Sequence, residues 1–60
     1  MVSSADIIRK LEKDGWKRVS QKGSHVTLKK AGVRHLITVP HPRKELGKSL
    51  ERAIRRAAGW

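Results

Sequence analysis

The chain contains no cysteine, which excludes disulfide staples and thiolate metal sites. No apolar run approaches the roughly 20 residues needed to cross a membrane. The opening MVSSADIIRKLEK lacks the cationic start and apolar core of a secretory signal, so a soluble cytoplasmic protein with no membrane partner is expected. Aromatic residues are reduced to two tryptophans, 3% of the chain, which argues against a base-stacking platform for single strands. Linkers, repeats and low-complexity segments are also missing, so the 60 residues are expected to form one domain, residues 1–60. A domain this small buries only about 60% of its unfolded surface. Its stability must come from tight helix–sheet packing or from a partner.

Acidic residues are scarce, and basic ones are not. Fifteen Lys and Arg face five Asp and Glu, a formal net charge of +10. Both halves of the chain carry the excess. Such a field attracts polyanions, nucleic acid first among them, or an acidic protein.

Five elements with short connections are expected. Helix one spans about Ser4 to Asp14, with Ser3 as N-cap, Asp6 three residues on, and Gly15 as the stop. Ser4, Ile7, Ile8 and Leu11 share its core-facing side. Strand one covers about Trp16 to Gln21, with a turn at Lys22-Gly23. Strand two covers about Ser24 to Lys30, with a turn at Ala31-Gly32, and strand three about Arg34 to Val39. Pro40 and Pro42 end the sheet. Helix two runs from Lys44 or Glu45 to Ala58, burying Leu46, Leu50, Ala53, Ile54 and Ala57, with Gly59 as its C-terminal stop and Trp60 packing just beyond. The fold class is α+β. A three-stranded antiparallel sheet carries two helices on one face in the order α-β-β-β-α, the architecture of a double-stranded-RNA-binding domain.

Two-residue turns place Ser20 and Thr38 opposite His25. Alternation along the strands then assigns Val19, Val26, Leu28, Ile37 and Val39 to the core face. It assigns Arg18, Ser20, His25, Thr27, Lys29 and Thr38 to an open polar face, with Leu36 as its main apolar member. Strict alternation also sends Trp16 to the open face, which suits a tryptophan poorly unless a bulge intervenes or the strand starts after it.

His25 therefore falls on a cationic surface beside hydroxyls. An ordinary exposed strand histidine satisfies that pattern as well as a functional one. His25, His35 and His41 have no metalloprotease or zinc-finger spacing, and the five carboxylates lie on the helices, away from His25. No cofactor or metal is called for, and neither two-metal nor Ser-His-Asp chemistry finds its residues. Metal-free ribonuclease chemistry fits better. RNA brings its own nucleophile, the 2′-hydroxyl. It needs a base or acid such as histidine, and cations near the phosphate, for which Lys22, Lys29 and Arg18 are candidates. On helix two, Lys48, Arg52, Arg55 and Arg56 form a basic side that suits phosphate or an acidic partner, or is simply solvated, and Glu51 can pair with Arg55. His35 is assigned to the Val26 and Leu28 face or its edge, and His41 to a proline-flanked loop.

The stretches LEKDGWKRVSQKGSHVTLKK and ITVPHPRKELGKSLERAIRRAAGW resemble the HicA mRNA-interferase toxin family, from about Ser4 to Gly59. The most specific piece is Gly23-Ser24-His25, preceded by Gly15-Trp16 and followed by Val39-Pro40. The resemblance implies a double-stranded-RNA-binding-like fold and a toxin that cuts mRNA without metal and arrests translation. It implies neutralisation by a HicB-type antitoxin. It makes His25 the catalytic histidine, with Gly23 and Ser24 as motif positions. The principal rival is a non-catalytic double-stranded-RNA-binding module, which needs no histidine. A basic DNA-binding regulator and a ribosome-associated protein share only the charge.

Overall fold

The computed structural model describes residues 2–60, so Met1, included in the expected single domain, lies outside the described residues. The element order is α1 (Ser4–Lys13), β1 (Lys17–Lys22), β2 (His25–Lys29), β3 (Ile37–Pro40) and α2 (Lys48–Ala58). The strands form one antiparallel sheet in the order β1-β2-β3. Both helices pack on one side of it, as the alternating pattern demands.

Helix α1 starts where the Ser3 hydroxyl accepts the Asp6 N–H at 3.1 Å, removing one of the unpaired donors of the first turn. Asp14 caps its other end, and Gly15 then takes φ 105°, a value that side chains other than glycine's resist. Its inward stripe, Ser4, Ile7, Ile8 and Leu11, is buried. Ile7, Ile8 and Leu11 join Trp16, Val26, Leu28, Ile37, Val39, Leu46 and Ile54 in the core.

Three features of the sheet depart from the sequence expectation. The first hairpin turns at Gly23-Ser24 rather than Lys22-Gly23, so Lys22, not Ser20, stands opposite His25. The reason is the φ of +56° at Gly23, which places it first in the turn, as in the turns favoured by hairpin twist. The second departure is a bulge between Arg18 and Ser20. Val19 is the extra residue, 54% exposed rather than core. The bulge reverses the face of everything before it. Arg18 becomes the partner of Leu28, and its Nε lies 3.4 Å from the Glu12 carboxylate of α1. Trp16 is buried, with β1 starting just after it.

The third departure is the connection after β2. The Val33 N–H does close a turn onto the Lys30 carbonyl at 3.1 Å, around Gly32. The ladder does not resume there. His35 is drawn to α2, where its Nε2 lies 2.6 Å from the Ala57 carbonyl, and its ring is 6.0 Å from that of Trp16. Strand β3 consequently starts at Ile37, and Pro40 rather than Thr38 faces His25. Leu36 stays exposed.

Helix α2 starts at Lys48, later than Lys44 or Glu45. The Leu46 N–H is held by the Val2 carbonyl at 2.8 Å in an extended segment, and Gly47 is the N-cap. Leu46 and Ile54 are buried, Leu50 and Ala57 half-buried, and Ala53 exposed. At the end, Gly59 takes φ 81° and the Trp60 N–H reaches back to the Arg55 carbonyl at 2.8 Å, a left-handed closure of the helix. The Trp60 indole donates to Asp14 at 3.2 Å, and the Lys10 ammonium sits 4.7 Å from its ring centre. The two helices are thereby tied at their C-terminal ends. Among the described residues no helix is long and apolar enough to cross a membrane.

Candidate active site

The site is built on the first hairpin. The pairs Lys22 with His25, Ser20 with Thr27, and Lys17 with Lys29 lie side by side across β1 and β2. Across β2 and β3, Pro40 flanks His25 and Thr38 flanks Thr27. Paired residues share a face. His25 therefore heads an open surface of lysines and hydroxyls, opposite the one that carries Val26 and Leu28. Both expected partners of His25 were displaced by two positions. A shift of two leaves the faces unchanged, whereas a shift of one would have exchanged them.

Among the candidates, Lys22 is the direct neighbour of His25. Lys29 lies on the same face four residues along β2, about 13 Å away at the usual rise per residue. Gly23 and Ser24 form the turn itself. Arg18 does not belong to this face, because the bulge turns it under α1 to Glu12. Lys48, Arg52, Arg55 and Arg56 are exposed on the outer side of α2. That side points away from the sheet, on the far side of the molecule from His25. Arg55 is engaged there by Glu51 at 3.2 Å.

Among the described residues no carboxylate is a cross-strand partner of His25. Asp6, Glu12, Asp14 and Glu51 pair with Arg9, Arg18, Lys30 and Arg55 respectively. Among the described residues no three His, Cys, Asp or Glu side chains gather closely enough to hold a metal ion. Asp14 accepts hydrogen bonds from the Trp60 indole and the Lys30 ammonium, and these hold its carboxyl below the ordinary carboxylate range.

The sequence reading passed over Ser4, treating it as one of four residues on an inward stripe. Its side chain is buried, and its hydroxyl lies 2.7 Å from His41 Nδ1, 2.8 Å from the Arg43 N–H and 3.1 Å from the Arg43 carbonyl. The Ser4 N–H donates to the same carbonyl at 2.9 Å. His41 in turn donates its backbone N–H to the Ser24 carbonyl at 2.7 Å. A continuous chain of hydrogen bonds therefore joins the start of α1 to the turn that presents His25. The one signal in the sequence was a polar residue at an apolar position of α1.

Fold and face together define a small basic α+β domain that presents one histidine beside lysines on an open sheet. A family model described as the HicA toxin of bacterial toxin-antitoxin matches residues 4–60. A chain in the structure of the HicA3 and HicB3 toxin-antitoxin complex superposes with a TM-score of 0.83 at 45% identity, covering 97% of this chain and 94% of that one. A chain in a toxin-antitoxin complex from Streptococcus pneumoniae gives a TM-score of 0.83 at 34% identity, with 100% of both chains covered. A comparison with curated proteins found no match. The chain belongs to the HicA toxin family of bacterial toxin-antitoxin systems.

Proposed function

We propose that this toxin is a metal-independent endoribonuclease that cleaves mRNA, with His25 as its general base or acid. The observation that carries the reading is the position of His25. It stands on the open face with Lys22 directly opposite and no carboxylate among its cross-strand neighbours. As base, the imidazole takes the proton of an RNA 2′-hydroxyl. The 2′-oxygen then forms a bond to the adjacent phosphorus, and the bond from phosphorus to the 5′-oxygen breaks. The leaving oxygen takes up a proton from a group acting as acid. The ends produced are a 2′,3′-cyclic phosphate and a 5′-hydroxyl. Lys22 supplies positive charge where the pentacoordinate phosphorus gathers negative charge. Gly23 reverses the chain so that Lys22 and His25 face one another, and Ser24 holds the second turn position. Lys29 serves the same strand of RNA further along the face.

Cleavage of a defined mRNA in excess chelator tests the proposal, read by product ends. Wild type should give cyclic phosphate ends and His25→Ala should give far fewer of them. Binding of duplex RNA without cutting would favour the non-catalytic module instead.

A HicB-type antitoxin is the proposed protein partner, supported by a similar chain found in a complex whose name pairs HicA3 with HicB3. The outer side of α2 suits that contact. Its Lys48, Arg52 and Arg56 recur every fourth residue, free of ion pairs among the described residues, and an RNA strand lying over His25 is on the other side of the sheet.

A further inference from the structure

Beside the start of α1 lies an open cavity of about 460 Å³, lined among others by Ala5, His41, Pro42, Arg43 and Lys44. It is separate from the His25 face, yet the backbone fixes how near it is. Pro40 is the cross-strand partner of His25, and His41 follows it. The Cα atoms of His25 and His41 are therefore no more than about 9 Å apart. The Ser24 carbonyl accepts the His41 N–H at 2.7 Å, which locks the lip of the cavity to the catalytic turn. Ser4 holds the His41 ring and the Arg43 backbone from inside. The side chains of Arg43 and Lys44 form no ion pair among the described residues. Of the carboxylates nearby, Asp6 is engaged by Arg9 at 3.6 Å, and Glu45 is exposed beyond Lys44.

We infer that this cavity is a substrate subsite, holding a nucleotide of the RNA strand next to the one cut at His25. Pro42 and Ala5 offer apolar surface to a ribose or base. Arg43 and Lys44 meet the phosphate, the group that dominates affinity for nucleic acid. A strand passing from His25 around Pro40 at the end of the sheet has only one residue of backbone to cross before His41 at its lip. The hydrogen bonds through Ser4 and Ser24 keep the two positions in fixed register, so that a single histidine moves a proton at one defined phosphodiester. This inference rests on the RNA-cleaving reading, and its test does not depend on cutting.

The test uses RNA with 2′-O-methyl groups, which cannot be cleaved, as a dinucleotide and as a hexanucleotide. Wild type should bind the hexanucleotide more tightly, with backbone amide NMR shifts at Ala5, His41 and Lys44. The double variant Arg43→Glu, Lys44→Glu should lose at least tenfold of the affinity gained with length. A control pair with the same charge change, Lys13→Glu and Arg34→Glu, should lose much less. An equal loss in the two pairs, or no shifts at Ala5 and His41, overturns the subsite. Shifts at the cavity in a protein that cuts no RNA would keep the subsite and remove the catalytic role of His25.

Discussion

On the helix-covered face of the sheet, Val26, Leu28 and Val39 are fully out of solvent. On the other face His25, Lys29 and Thr38 stand exposed. The same strands carry both sets, because alternate side chains of a strand point to opposite sides. The covered face has nowhere to hide a defect in so small a core. The open face contributes little to stability and is free to carry charge and a titratable ring. The covered and open faces are therefore separated by one residue along β2.

The strongest way to break this comparison is to mutate neighbours. Leu28→Ala should cost about 2–5 kcal/mol from the lost transfer energy and the cavity left behind. A domain of this length has roughly 3–9 kcal/mol to lose. Urea denaturation should show a large drop in midpoint, reaching complete unfolding where the starting stability lies at the low end of that range. A small shift in midpoint would mean that the core is not the load-carrying face. Ser4→Ala comes next, because it leaves His41 and the Arg43 N–H without their buried partner, at about 1–3 kcal/mol. Thermal unfolding should show the loss, and Ser4→Thr, which keeps the hydroxyl, should recover part of it.

On the outer side of α2, Arg52→Glu with Arg56→Glu should leave the fold intact and weaken a HicB-type antitoxin by at least about tenfold, roughly 1.4 kcal/mol. Calorimetric titration at low salt checks this, and unchanged affinity removes α2 from the interface. The smallest effect concerns pH. The Asp14 carboxyl is held below its ordinary value of 3.8 by Trp60 and Lys30. The stability it contributes is present above that value and is lost as pH falls through the lower, folded-state value. Asp14→Asn should therefore be less stable than wild type near neutral pH, and the gap should close on acidification below about pH 4.

Much of this was readable from residues alone, because the relevant signals are local. The caps at Ser3 and Gly59, the stop at Gly15, the inward stripe of α1 and the pairing of Glu51 with Arg55 each depend on residues within a few positions. The failures depend on distant partners. Helix α2 starts late because Leu46 is bonded to Val2, and β3 starts late because His35 is bonded to Ala57. The bulge at Val19 moved Arg18 to the other face, and alternation alone does not locate a bulge, although the burial expected of Trp16 hinted at one. The position of His25 on the open face survived two register errors because both were even. Ser4 was overlooked because its partners lie 37 and 39 residues away.

Whether the exposed imidazole of His25 drives RNA cleavage without a metal separates an enzyme from a binding module. One measurement tests it most directly: cleavage of a defined mRNA in excess chelator by wild type and by His25→Ala, with both proteins shown to unfold at the same midpoint. Wild-type cleavage should be undiminished, and the variant should lose about 10²–10⁴-fold, the range for a removed acid–base group. Equal cleavage by the two proteins, or cleavage that chelator abolishes, would contradict it.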